Sequence, residues 1–393
     1  MTKICSVFSQ ILQLFSRRDF EKAVKQHEAE KHSKGFSCWG QFVAMVFCQL
    51  AQMKSLREVC LGLACCESPL KHLGLLETPK KSTLGYANGH RPWELFETVF
   101  DQLLIKSRSE WESRGGKKKF RFKNKLMSLD GSIIDLSTSL YDLAKYKSTK
   151  GAIKVHLLLL DHQGYLPSFA VVTEGKYSEI KVARSLQLDP GTILVVDRGY
   201  NDFGWFKEMT ANGVFFVTRM KSNTVYKVVD ERAVPKEGNV VKDQIITLPS
   251  LAKAGEKPVL FRRIEWWNPD KMEILVFLTS LHHLAASTIA AVYKDRWKIE
   301  LFFKALKQNL KVKTFLGTTP NAVKTQIWTA LIAMLILKYL QMKATFGWSL
   351  SNLAALLRQQ LFIYRDLWEW LNAPWEGPPA AKNLETLALP LVL

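Results

Sequence analysis

The spacing of apolar positions changes several times along the chain. From residue 1 to about 110 they recur at helical intervals. Trp39–Met53 reads as an amphipathic helix, and Ser55-Leu56-Arg57-Glu58 has the Ser-x-x-Glu form that opens another. Ser82-Thr83-Leu84 begins a third short helix, and Pro92 a fourth that reaches Lys106. From Leu126 the pattern becomes extended. Leu126–Ile134 is a run with Asp130 in its middle, and Ile153–Leu160 and Tyr165–Val172 form a hairpin across Asp161-His162-Gln163-Gly164. A helix over Ser178–Leu186 leads to Thr192–Asp197, a nearly all-apolar run of the kind buried on both faces. A further helix follows Arg198-Gly199-Tyr200, then a strand over Val214–Thr218.

Past Ser222 the runs Val225–Val229, Val240–Leu248, Val259–Trp266 and Glu273–Leu278 alternate as strands, with turns at Pro235, Gly238, Gly255 and Asn268-Pro269-Asp270. Helical spacing returns over Tyr293–Lys311. Wound as one helix, this stretch gathers Tyr293, Arg296, Glu300, Lys304, Lys307 and Lys311 on one side and Ile299, Phe302, Phe303, Leu306 and Leu310 on the other. Gly317 ends it, and Thr319-Pro320 opens a mostly apolar helix through about Lys343 that should back it. The last segment, Leu350–Leu371, is helical, and Pro374, Pro378 and Pro379 close it.

These changes of period predict a helical N-terminal domain over 1–113 and a basic linker over 114–125. A catalytic α/β domain over 126–345 follows, interrupted by a β-strand insertion over 222–284, then a helical C-terminal segment over 346–393. With 393 residues, 47% of them hydrophobic, the chain can bury such cores. Its net charge of +19 and pI near 9.6 call for an anionic partner, nucleic acid first and a membrane surface second. The longest apolar run, Ile327–Leu340, is interrupted by Lys338 and is shorter than the roughly 20 residues that span a bilayer. No signal-like run develops at the N-terminus, so an intracellular protein is expected. Cys5, Cys38, Cys48, Cys60, Cys65 and Cys66 show no Cys-x-x-Cys pair, and buried free thiols are expected in place of zinc ligands or disulfides.

Three places carry candidate chemistry. Asp130 is a carboxylate within a half-buried strand, and Asp197 closes a buried strand at its carboxyl end, where open α/β sheets place ligands. Glu300 is the lone acid of the 293–311 stripe, which suits a carboxylate that holds a metal ion while its neighbours grip phosphates. The plain alternative is a solvated face with (i, i+4) ion pairs. Asp135 is the rival of Asp130 and faces the other way in a regular strand. Arg262, Arg263, Trp266 and Trp267 form a second cluster: paired tryptophans are ordinary core, yet one beside two arginines could stack on an unpaired base. Leu73–Arg91, with Lys80, Lys81, His90 and Arg91, fits either a helix-turn-helix reader of DNA or a helical bundle with a wet face. The linker, with Phe120 and Phe122 among its cations, is expected to touch DNA.

Tyr293, Arg296, Glu300 and Lys307 resemble the Tyr-Arg-Glu-Lys signature of DDE transposases of the insertion-sequence-four family, in identity and in spacing. Asp130 followed by Gly-Ser, and Asp197 followed by Arg-Gly-Tyr, match that family's two catalytic aspartates. The element order from Leu126 is that of a ribonuclease-H-like fold, a mixed sheet flanked by helices, and the 222–284 strands match the insertion family members carry. The resemblance implies Asp130, Asp197 and Glu300 as a catalytic and metal-binding triad. An all-oxygen site of this kind takes two Mg²⁺ or Mn²⁺ ions, about 3.5–4 Å apart. Tyr293, Arg296, Lys304 and Lys307 would contact DNA, with Arg262, Arg263, Trp266 and Trp267 near the cut site. It further implies cut-and-paste transposition on double-stranded DNA (terminal inverted repeats and target), a homodimer in the synaptic complex, an N-terminal domain that binds element ends, and a place in the bacterial cytoplasm at the nucleoid. A ribonuclease-H-like nuclease without strand transfer and an inactive DNA-binding relative are the other readings.

Overall fold

A computed structural model describes residues 5–65 apart from 32 and 34, then 70–113, 119–135, 152–160, 166–174, 178–252, 255–309 and 315–375. The predicted hairpin turn at Asp161–Gly164, Tyr165, Cys66, Leu310, Lys311, most of the basic linker and the segment beyond 375 lie outside the described residues.

The N-terminal part is helical: α1 (Val7–Leu12), α2 (Arg17–Gln26), α3 (Cys38–Leu50), α4 (Leu56–Ala64), α5 (Lys81–His90) and α6 (Glu94–Ser113). Serines open four of these. Ser6, Ser16, Ser37 and Ser55 each accept a hydrogen bond from an N–H in the first turn that would otherwise be unsatisfied. The expected amphipathic helix at Trp39 differs, since α3 is buried on every side. Its second face is covered by α11 (Pro320–Lys343), whose apolar residues also run all round the helix and meet α5 and α6 as well.

Nine described strands form one mixed sheet. They are β1 (Leu126–Asp135), β2 (Ala152–Leu160), β3 (Leu166–Glu174), β4 (Ile193–Val195), β5 (Phe215–Arg219), β6 (Lys227–Glu231), β7 (Val240–Thr247), β8 (Leu260–Asn268) and β9 (Glu273–Thr279). Their order is 3-2-1-4-5-9-8-7-6. The pairs β1–β4 and β4–β5 are parallel, and β2–β3 is an antiparallel hairpin as expected. Helices α7 (Glu179–Arg184) and α8 (Phe203–Ala211) come between these strands, and α9 (Ala286–Asp295) and α10 (Trp297–Asn309) follow the last. Side chains alternate across the sheet with period two. Met127, Leu129, Leu194, Val196 and Phe216 pack with Phe206 of α8, while Leu126, Ile193, Val195 and Val217 pack with Ile289 and Val292 of α9.

Two expected boundaries are not packing boundaries. The four strands of the 222–284 segment extend the central sheet through β9, which pairs with β5, instead of forming a separate unit. The N-terminal helices share one core with β2, β3, α10, α11, α12 (Leu350–Gln360) and α13 (Leu367–Asn372). Because α11 is apolar all round, it needs cover from both ends of the sequence. The C-terminal helices are likewise used within the chain. Gln10 donates to the Arg365 carbonyl (2.7 Å) and accepts from the Leu367 N–H (2.9 Å), and Trp370 and Leu371 are buried. Helix α11 is long and apolar enough to cross a membrane, but 89% of its most apolar window is buried inside the fold, so it is a core helix.

Between α4 and α5 the chain is too long for a helix-turn-helix turn, and α5 turns inward. Asn88 and Arg91 are buried and both bond to Gln41, at 2.9 and 3.2 Å. Arg91 therefore holds the helical core together, while Lys80, Lys81 and His90 stay exposed. Cys38, Cys48 and Cys60 are buried free thiols, and burial pushes the Cys38 thiol up to about 12.

Candidate active site

The carboxylates are set by strand register. Ser128 of β1 lies beside Val195 of β4 in parallel, so Asp130 and Asp197, each two residues further on, reach the same level on neighbouring strands. Both continue the series that faces α9, through Leu126 and Ser128 in one strand and Ile193 and Val195 in the other. The side chain of the rival, Asp135, is not among those described. Asp197 caps a single 3-10 turn, Arg198–Tyr200, and accepts from the Gly199 N–H at 2.7 Å. Asp130 accepts from the Gly131 N–H at 2.9 Å.

The Tyr293–Lys311 stretch is not one helix. Arg296 sits at a joint between α9 and α10, where hydrogen bonding tightens to i−3: its N–H donates to the Tyr293 carbonyl, and the Ile299 N–H to its own. Tyr293 thus belongs to α9, half-buried against Phe277, with the Arg296 guanidinium 5.5 Å above its ring. From the joint Arg296 donates to Glu300 Oε1 at 2.7 Å. Asp295, beside it, is buried and paired with Lys119. That pair and the stacked rings of Phe120 and Phe122, packed on the α9 side of the sheet, anchor the end of the basic linker. The phenylalanines are core contacts here, not part of an arm along a phosphate backbone.

Asp130 and Glu300 line one open cleft of about 350 Å³, together with Ser132, Lys304 and Lys307. Desolvation raises the Asp130 carboxyl to about 7, with the negative charges of Asp197 and Glu300 adding to it and Arg296 and the Gly131 N–H opposing it. Burial works against the charge of Arg296, but Tyr293, Glu300 and Asp130 outweigh it and hold the guanidinium above its ordinary value. Three electrostatically coupled carboxylates short of positive charge have the donor chemistry of a hard divalent cation. Among the described residues no three acids, histidines or cysteines converge on one point, and Glu300 is turned to Arg296.

The second cluster is placed differently. Arg262 is buried at 2% exposure, bidentate to Asp243 (2.8 and 2.6 Å) and donating to the carbonyls of Leu281 and Leu284. Arg263 bonds to Gln244 and Glu265 (2.8 and 2.6 Å). Trp266 packs into the α9-side core, and Trp267, on the opposite face of β8, is 36% exposed. The expectation that Arg262, Arg263 and Trp266 touch DNA is therefore corrected: strand alternation points these side chains into the sheet's own layers.

Sequence reasoning missed the support behind Asp130. Tyr200 is buried, its hydroxyl has no hydrogen-bond partner among the described residues, and burial, then Glu179, Asp130 and Asp197, push it above its ordinary range. His156, held neutral by burial and by Lys154, bonds to Thr173 and stands close to Gly131. A Cβ at Gly131 would come within 3.2 Å of His156 Nδ1 and 3.3 Å of Glu179 Oε1, which explains a glycine directly after Asp130. Tyr200 was visible only as part of Arg198-Gly199-Tyr200, and His156 only as a polar position in a strand.

Residues 121–336 match the family described as "Transposase DDE domain". The chain belongs to the DDE transposase family. It is a DNA-cleaving and strand-transferring enzyme of a family that uses divalent metal ions. A Sinorhizobium fredii protein named as a transposase, y4zB, is 30% identical over 80% of this chain and 87% of its own length. A Geobacillus stearothermophilus protein named as the transposase for insertion sequence element IS5377 is 29% identical over 75% of this chain and 74% of its own. A Synechocystis protein named as the transposase for element IS4SA is 24% identical over 62% and 67%. Residues 4–76 match a domain of unknown function, DUF4372.

Proposed function

We propose that this DDE transposase cuts the ends of an insertion sequence and joins them to target DNA, with Asp130, Asp197 and Glu300 as its catalytic and metal-binding residues. The observation that carries the reading is the raised Asp130 carboxyl, set beside Asp197 by register and facing Glu300 across a cleft that also holds Lys304 and Lys307. The sheet order 3-2-1-4-5 from β1 to β5 supports a ribonuclease-H-like core. The Tyr293, Arg296, Glu300 and Lys307 spacing supports membership of the insertion-sequence-four branch. Two Mg²⁺ or Mn²⁺ ions, when bound, would activate the attacking oxygen and steady the leaving one. This chain's residues do the rest. Arg296 neutralises part of the carboxylate charge and holds Glu300 at the cleft, while Lys304 and Lys307 fix the phosphates that position the strand. Tyr293 orients Arg296 through its ring and can add a sugar or phosphate contact. Trp267 is the exposed aromatic of β8 that can stack on a base. A homodimer on paired element ends, and work in the bacterial cytoplasm at the nucleoid, complete the reading.

The test is Glu300→Gln assayed on duplex element ends in Mg²⁺. Cleavage should be lost while metal-free DNA binding holds or tightens, since one negative charge leaves a DNA-facing cleft. A Glu300→Gln protein that still cleaves would end the triad assignment.

A further inference from the structure

On the other flank of α10 from Glu300 lies a second cleft, of about 370 Å³, between α10, α11 and α12. Its walls include Lys298, Leu301, Phe302, Lys304, Lys338 and Leu350. Lys338 interrupts the apolar run of α11, and Leu335, Ile336, Leu337, Tyr339 and Leu340 around it are buried. Among the described residues its ammonium forms no hydrogen bond and no ion pair. Desolvation, reinforced by Lys298, pushes it down to about 8, and no carboxylate is among the groups acting on it. The N-terminus of α12 opens on the same space. Ser349 accepts from the Asn352 N–H (3.1 Å), and the first-turn N–H groups at Leu350 and Ser351 have no carbonyl of their own helix to meet. No acid stands in that first turn.

A desolvated lysine, two more lysines and the positive end of a helix, all without an acid, form a site missing its anion. Lys304 and Gln308 line this cleft and the Asp130–Glu300 cleft alike, so the two are continuous across α10. We propose that the α10–α11–α12 cleft is a second phosphate site, with Lys338 as its floor, for a phosphodiester of the DNA strand that continues from the catalytic cleft over Lys304. The apolar side chains of Leu301 and Phe302 suit the deoxyribose beside that phosphate. The choice of a DNA strand over a free phosphate rests on the transposase reading and on this continuity.

The experiment titrates the full chain into labelled duplex DNA in EDTA over a range of salt. Lys338→Met should weaken binding about tenfold, as expected for loss of one charged contact, and lower the slope of log K against log salt by about 0.9. Its thermal midpoint should rise, because a desolvated unpaired charge is gone. Lys298→Ala, on the exposed rim, should flatten the slope in the same direction without touching the core. Unchanged affinity and slope in both variants would overturn the site. Inorganic phosphate that raises the midpoint of the parent chain but not of Lys338→Met, with DNA binding unaltered, would overturn the DNA assignment in favour of a free anion. Lys307→Ala, in the first cleft, separates the two levels. If it flattens the slope and Lys338→Met does not, this inference alone fails; if neither does, the transposase reading of both clefts fails.

Discussion

Arg296 donates to Glu300 Oε1 at 2.7 Å from the joint between two helices, and the same guanidinium lowers the proton affinity of Asp130. One cation thus restrains two of the three carboxylates while the cleft lacks a metal. Removing it leaves them to repel one another. Arg296→Ala should cost about 1–3 kcal/mol of stability in metal-free buffer near pH 8. Mg²⁺ should then raise its thermal midpoint more than it raises the parent's. Equal Mg²⁺ responses in the two proteins would show that Arg296 does not share the carboxylate charge.

Asp130 gives stability a pH dependence of definite sign. Its folded value, about 7, lies above that of a free carboxylate, so near neutrality the folded chain holds a proton the unfolded chain has released. The stability linked to this group is full below the unfolded value and is lost as pH rises through about 7. In metal-free buffer the unfolding free energy should fall across this window by on the order of 2–4 kcal/mol. Asp130→Asn should flatten that fall and be the more stable protein at pH 8. Denaturant unfolding at pH 5 and pH 8 reads it, and identical pH slopes for both proteins would count against the raised value.

Behind Asp130, Tyr200 carries a buried hydroxyl with no partner among the described residues. Such a group costs about 1–3 kcal/mol relative to an apolar one of the same shape. Tyr200→Phe should therefore be as stable as the parent chain or more so by thermal unfolding. Destabilisation by more than about 1 kcal/mol would mean that the hydroxyl is satisfied in solution.

Much of this site was legible in the sequence for a physical reason. Asp130 and Asp197 stand out because a carboxylate in an apolar strand needs a partner, and the parallel register of β1 and β4 does bring them level. The β6–β9 strands were legible as alternating runs. Their destination was not, since pairing of β9 with β5 is a long-range choice that no local period encodes. The break at Arg296 was also hidden. Helical spacing continues across it, and only the tertiary demand that Asp295 reach Lys119 accompanies the tightened turn. The tie between α11 and the N-terminal helices was half-visible. An all-apolar helix announces that it is buried, but not by what.

Arg262 decides between a DNA contact and a structural strut. Its guanidinium is bidentate to Asp243, itself 6% exposed, and is further held by the carbonyls of Leu281 and Leu284. Truncating one member of such a pair leaves the other charge buried and alone. Arg262→Met should thus destabilise the fold by about 3–5 kcal/mol, whereas Arg262→Met with Asp243→Leu should recover much of the loss. Neither change should alter the salt slope of DNA binding at a temperature where the protein stays folded, because no phosphate contact is removed. Lys304→Ala, on the exposed face of α10, should show the reverse pattern: stability within about 0.5 kcal/mol of the parent and a slope lower by about 0.9. A salt slope that falls for Arg262→Met as it does for Lys304→Ala would return Arg262 to the DNA surface and make its pairing with Asp243 a state that DNA binding breaks.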